Sequence, residues 1–192
     1  MMLDKVIFLD RDGVINDDSP DYIKRWAEFR FLPGSLEAIT LLTRHGYHLI
    51  VITNQSMIQR SMVPLEVLEE IHHRMRSAVA GAGGRIEAVF FCPHRPDENC
   101  DCRKPKPGLI FQARQQYGID PAQTVMIGDS AKDIRCGRNA GCGATILVRT
   151  GNGEAAEREL AAERIHPDAV VADLLAAARL IVAQTIGPGK KG

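Results

Sequence analysis

The stretch KVIFLDRDGVINDD, residues 5–18, decides how this chain folds. Four apolar residues, Val6 to Leu9, have the length of a short strand, and the run stops at a carboxylate, Asp10. After Arg11 comes a second carboxylate, Asp12, and then Gly13. A strand that is apolar at every position is buried on both faces, as in a parallel sheet. Two aspartates delivered side by side at its end repel each other, so the pattern asks for a compensating cation.

Five further runs share this form: HLIVITN (48–54), EAVFFC (87–92), TVMIGD (124–129), ATILVRT (144–150) and DAVVAD (168–173). Helical patterns lie between them. PGSLEAITLLTRHG (33–46) opens on Pro-Gly-Ser and closes on glycine, and segments 64–84, 107–118 and 130–141 repeat the logic of start and stop signals. Strands alternating with helices predict an α/β fold with a doubly wound parallel sheet. No linker divides the chain, which predicts one domain over residues 1–186 and a frayed tail at 187–192.

Composition bounds the partners. The 192 residues carry 24 Lys plus Arg and 24 Asp plus Glu, so charge gives no reason to expect nucleic acid or an anionic membrane. The start MMLDKVIF has no signal-peptide pattern and no run reaches transmembrane length, which points to the cytoplasm. No apolar stripe stands out, so a monomer is expected. Five cysteines are an odd number, and three fall within eleven positions, a pattern of metal binding and not of disulfides.

In doubly wound folds ligands bind beyond the carboxyl ends of the strands, at the switch in strand order. Asp10 and Asp12, Thr53 and Asn54, and Asp129 all sit at such ends. One DxD pair alone is as well explained by turn and cap formation; a third carboxylate from another strand favours Mg²⁺, which takes oxygen ligands. An aspartate is a competent nucleophile toward phosphorus, and a carboxylate two residues on can protonate the leaving alcohol and later activate water. The phosphoryl charge needs a basic partner, with Lys104 the candidate and Lys106 its rival.

Taken in order, DRDGV, ITNQS, RKPKPG and GDSAKD resemble the four motifs of the haloacid dehalogenase (HAD) superfamily of phosphatases. The resemblance covers residues 3–150 and implies a Rossmann-like core without a large cap domain. It implies Asp10 as nucleophile, Asp12 as general acid/base, Thr53 as phosphoryl hydrogen-bond donor and Lys104, at the family's Lys-Pro position, as charge-stabilising lysine. It also implies Mg²⁺ held by Asp10, Asp129 and the Asp12 backbone carbonyl. Asp133 reads equally as a support behind the metal or as a helix N-terminal acid.

The segment FFCPHRPDENCDCRKP adds a second metal motif. Cys92, His94, Cys100 and Cys102 follow C-x-H-x5-C-x-C, which suits a closed, structural Zn²⁺ site. RPDEN between the ligands has no apolar residue, so metal would supply its order; free surface thiols are the alternative. This loop resembles two related phosphatase families, the D-glycero-D-manno-heptose-1,7-bisphosphate 7-phosphatases and the histidinol-phosphatase domains. INDDSPDYIKRWAEFRFLPGS (15–35) leans toward the heptose side. By that resemblance Asp18, Asp21 and Tyr22 meet sugar hydroxyls, Asn54, Gln55 and Ser56 join Lys104 in holding substrate, and Arg103 holds a second phosphate. One departure is visible: Met57 and Ser61 in SMIQRSMVP replace glycines of the resembled pattern, so the loop should take another path.

Two other classes share parts of this constellation. A receiver domain uses strand-end aspartates, Mg²⁺, threonine and lysine, but its acidic pair lies on a different strand from the phosphorylated aspartate. A non-catalytic phosphosugar-binding domain would not need every catalytic position filled. His72 and His73, adjacent on a helix, read as packing or surface residues. Cys136 and Cys142 read as buried thiols, Trp26 as a packing partner of Phe29 or Phe31, and 154–164 as a solvated helix face.

Overall fold

The computed structural model describes residues 3–186; the tail expected at 187–192 falls outside them. Six strands form one sheet: β1 (Val6–Leu9), β2 (His48–Asn54), β3 (Ala88–Cys92), β4 (Val125–Gly128), β5 (Ala144–Val148) and β6 (Ala169–Val171). Their order is β3-β2-β1-β4-β5-β6, every pairing is parallel, and Phe8 sits between Ile50 and Met126 at the centre. This is the doubly wound arrangement expected, with the order reversing between β1 and β4.

Each strand except the edge strands is buried along nearly its whole length, because helices cover both faces. One layer comprises α1 (Ser35–Arg44), α2 (Leu65–Gly81) and α6 (Leu174–Val182), with Ile39, Leu42, Ile71, Met75 and Ile181 packed on Ile7, Leu9, Val51 and Ile127. The opposite layer holds α3 (Gly108–Tyr117) and α4 (Ala131–Ala140), whose Leu109, Ile110 and Cys136 meet Phe8, Ile50, Ile52 and Met126. A smaller cluster joins α4 and α5 (Gly153–Ala162) through Ile134, Ala156, Leu160 and Leu147. In α2 the buried positions Leu68, Ile71, His72, Met75 and Val79 follow the 3.6-residue period.

The six strands lie where the apolar runs predict; β2 matches its run end to end, and the others are shorter by one or two residues at one or both ends. The sequence pattern did not mark α6. Its Ala- and Leu-rich run LLAAARLIV is capped by the Asp173 carboxylate, which accepts from Ala176 N at 2.8 Å, and it packs on α1. Trp26 stacks on Phe29 at 5.0 Å and meets Phe31 edge-on, so it belongs to packing, as read. Among the described residues no helix is long and apolar enough to cross a membrane.

Candidate active site

Beyond the carboxyl ends of β1, β2 and β4 opens a cavity of about 300 Å³. Asp10, Asp12, Asp18, Tyr22, Thr53, Asn54, Gln55, Arg103, Lys104 and Asp129 all line it. Asp21 faces solvent elsewhere, and Ser56 is buried, meeting the Tyr22 hydroxyl at 3.1 Å.

The charges are arranged around Lys104. Its ammonium is buried, 2.8 Å from Asp10 Oδ1 and 2.6 Å from Asp133 Oδ1, and donates to the Ile52 carbonyl at 2.9 Å. Burial alone would lower the Lys104 pKa, but Asp10 and Asp133 outweigh it and hold the amine charged, above its ordinary value. Lys106 is half exposed and turns to Asn99 and Asp101, and of the two lysines only Lys104 lines the cavity. Asn54 secures the Lys104 backbone in both directions, accepting from its N–H at 3.1 Å and donating to its carbonyl at 3.2 Å.

Asp10, Asp129 and Asp133 bring one carboxylate oxygen each within 4.8 Å of one another. Burial raises the Asp10 carboxyl well above its ordinary value, Lys104 offsets part of this, and Asp133 and Asp129 push it further up. Asp129 is driven to about 7, first by burial and then by Asp133. One ammonium cannot neutralise three buried carboxylates, so the donor set fits a hard divalent cation. Asp133 is the helix N-terminal acid of α4: Oδ2 accepts from Ser130 N and Oγ, closing a capping box, while Oδ1 lies 2.6 Å from the Lys104 ammonium.

Close approach explains two glycines. Gly13 has φ +78°, and a Cβ there would lie 2.1 Å from Asp129 Oδ2. Gly128 has no positive φ; a Cβ there would lie 2.1 Å from Asp133 Cβ, so it serves proximity and not a turn.

Asp12 has a different environment two residues away. Arg11 donates to it through Nε at 3.2 Å and Nη2 at 2.9 and 3.0 Å, Asn16 Nδ2 donates at 2.9 Å and Gln55 Nε2 at 2.8 Å. Burial would raise its carboxyl, but the Arg11 guanidinium and these donors hold it below the ordinary value. Gln55 Nε2 also donates to Thr53 Oγ1 at 2.9 Å, tying β2's end to the same group. Neighbouring aspartates are thus pushed in opposite directions.

Residues the motif reading passed over also matter. Asn152 gives Asp129 Oδ2 a backbone bond at 2.8 Å and holds Asp18 Oδ2 with its side chain at 2.8 Å. Its only sequence signal is an asparagine between glycines just past β5. His72 is buried, with Nε2 3.1 Å from Arg11 Nη1, and His73 is exposed. Met57 is fully buried and does not line the cavity. Ser61 has φ +53°, a left-handed conformation at a non-glycine residue.

On the flank, Cys92, His94, Cys100 and Cys102 place four ligand atoms within 4.8 Å of one another. Sulfur–sulfur distances are 3.1 to 3.6 Å, no disulfide forms, and His94 presents Nδ1. Arg103 Nη1 donates to the His94 carbonyl at 3.0 Å and lines the cavity, so the cysteine loop is tied to a residue of the cavity wall. Cys136 and Cys142 lie elsewhere, their thiols pushed by burial to about 12 and about 11.

A family profile described as HAD-hydrolase-like matches residues 101–177. The D-glycero-beta-D-manno-heptose-1,7-bisphosphate 7-phosphatase of Pseudomonas aeruginosa is 47% identical over 148 residues, covering 77% of this chain and 83% of that one. The solved D,D-heptose 1,7-bisphosphate phosphatase of Bordetella bronchiseptica, complexed with magnesium and phosphate, superposes with a TM-score of 0.87 at 40% identity over 94% of this chain and 99% of that one. Its counterpart from Burkholderia thailandensis gives 0.70 at 35% identity, covering 93% and 99%. With its capless six-stranded sheet and these relatives, the chain belongs to the heptose-1,7-bisphosphate 7-phosphatase family of HAD-like phosphatases.

Proposed function

We propose that this chain hydrolyses the 7-phosphate of D-glycero-β-D-manno-heptose 1,7-bisphosphate through an aspartyl-phosphate intermediate. The carrying observation is the buried Asp10–Lys104 pair, 2.8 Å apart at the end of β1, in a chain so similar to phosphatases of that substrate. Asp10 attacks the 7-phosphorus in line and forms the Asp10–phosphorus bond as the bond from phosphorus to the sugar oxygen breaks. Asp12 gives its proton to the departing sugar oxygen. Asp12 then takes a proton from water as that water attacks phosphorus and releases Asp10. The proton gained in the second step is the one Asp12 gives to the leaving oxygen of the next turnover, and the Arg11, Asn16 and Gln55 donors favour the ionised form in which it acts as base. Lys104 offsets charge on the phosphoryl oxygens, and Thr53 donates to one of them.

Asp10, Asp129 and the Asp12 carbonyl would hold Mg²⁺, which when bound neutralises the carboxylates and the phosphoryl charge. We read Asp18, Tyr22, Asn54 and Gln55, which line the cavity, as sugar contacts and Arg103 as the partner of the anomeric phosphate. Zinc is our reading of the Cys92, His94, Cys100 and Cys102 cluster, because a tetrahedron with bonds of about 2.3 Å separates its sulfurs by roughly 3.8 Å. We read the protein as a single-domain cytoplasmic monomer.

The test is phosphate release with Mg²⁺ from the two anomers of heptose 1,7-bisphosphate and from histidinol phosphate, with Asp10→Asn as blank. The expected outcome is a large preference in kcat/KM for the β anomer. A preference for histidinol phosphate would keep the chemistry and overturn the substrate, and wild-type turnover by Asp10→Asn would overturn the nucleophile.

A further inference from the structure

We propose that His72 is a positioning residue for the acid/base carboxylate, acting through Arg11. The proposal rests on the assignment of Asp12 as general acid and base. Arg11 is 1% exposed, although a guanidinium carries five donors that burial must satisfy. Its Nε and Nη2 edge is spent on Asp12. Nη1 points the other way and meets His72 Nε2 at 3.1 Å.

Because the guanidinium is always protonated, it donates, and the imidazole accepts at Nε2 with its proton on Nδ1. The ring is itself fixed, set in the buried face of α2 and tilted against Phe91 at a centroid distance of 5.8 Å. The guanidinium plane is thus pinned at both ends, by Asp12 and by a residue of another element sixty-one positions away. A neutral acceptor suits this place. A carboxylate at position 72 would compete with Asp12 for the Arg11 charge, and an apolar ring would leave Nη1 unpartnered and free to turn toward Asp12.

A buried histidine serving only packing would affect all substrates alike, which gives the test. An alkyl leaving group needs its proton from Asp12, whereas p-nitrophenolate departs without one. Acid/base catalysis is worth about 10²–10⁴-fold, so His72→Phe should lower kcat/KM for heptose 1,7-bisphosphate by roughly tenfold or more. Its kcat/KM for p-nitrophenyl phosphate should stay within about twofold of wild type, since that substrate draws little on the acid. His72→Gln, whose Oε1 offers an acceptor near the place of Nε2, should recover most of the loss. Should His72→Phe not fold by circular dichroism, His72→Met carries the same expectation.

Equal losses on both substrates, or none on the heptose substrate while Asp12→Asn is crippled, would overturn the proposal. Wild-type turnover by Asp12→Asn would overturn the acid/base reading, and this proposal with it.

Discussion

Around Asp10, order comes from the protein's own core: β1, β2 and β4 are buried between helices, and their ends hold the polar groups in fixed relation. The loop from Cys92 to Cys102 has no such support. Residues 95–99 are all exposed, and the four clustered ligand atoms are its main internal contact. One region concentrates like charge inside a rigid frame and depends on a cation for electrostatic balance. The other has little frame, and on the proposed zinc reading it takes its shape from a cation. On that reading the two sites would fail in different ways, one losing rate and the other losing structure and grip.

The largest effect should come from the first region. Lys104→Met removes the ammonium from Asp10 and Asp133, and kcat should fall by about 10²–10³-fold, as when a preorganised electrostatic partner is lost. Steady-state kinetics at saturating Mg²⁺ measures it, and a change under threefold would show that the frame works without its central charge. In the second region, Cys100→Ser should release about one zinc per chain and lower Tm by roughly 5–10 °C, the equivalent of a few kcal/mol in a domain of this size. KM should rise more than kcat falls, because Arg103 is tied to the His94 carbonyl. Untreated protein without zinc by elemental analysis would erase the contrast.

A pH scan sharpens the comparison further. Asp10 and Asp129 are raised in the folded, metal-free chain, Asp129 to about 7 from 3.8. Between those values the native state binds more protons than the unfolded state, so stability falls as pH rises. Asp12, held low, acts oppositely, its contribution being lost only as pH falls below about 3.8. Chelator-treated protein should therefore lose Tm from pH 5 to pH 8, and Mg²⁺ should flatten the slope. A flat metal-free profile would contradict the electrostatic account. The smallest effect is Ser61→Gly, which relieves a non-glycine φ of +53° and should raise Tm by about 1–3 °C without changing kcat.

Sequence made the sheet and its site readable because buried parallel strands appear as unbroken apolar runs, and because Asp10, Thr53 and Asp129 fall at their ends. Lys104 was readable for a different reason, its Lys-Pro context. What stayed hidden depends on contacts between distant elements. His72 shares the face of Leu68, Ile71, Met75 and Val79, so its burial follows from the helical period, but its partner Arg11, on the loop after β1, has no mark in the sequence around α2. Asn152 needs the β5 loop to fold back over Gly13. The left-handed Ser61 reads as an obstacle in sequence, whereas the backbone simply takes the strain while Met57 anchors the loop in the core.

Lys104 has three ammonium hydrogens and, in the free protein, three partners for them: Asp10, Asp133 and the Ile52 carbonyl. On the proposed mechanism an arriving phosphoryl group would therefore enter by exchange, gaining a bond to this lysine only as an older one loosens. The gain on binding would be correspondingly muted, for substrate in its resting form and equally for inorganic phosphate after the reaction. A lysine already satisfied would then grip neither end of the catalytic cycle strongly, which favours product escape.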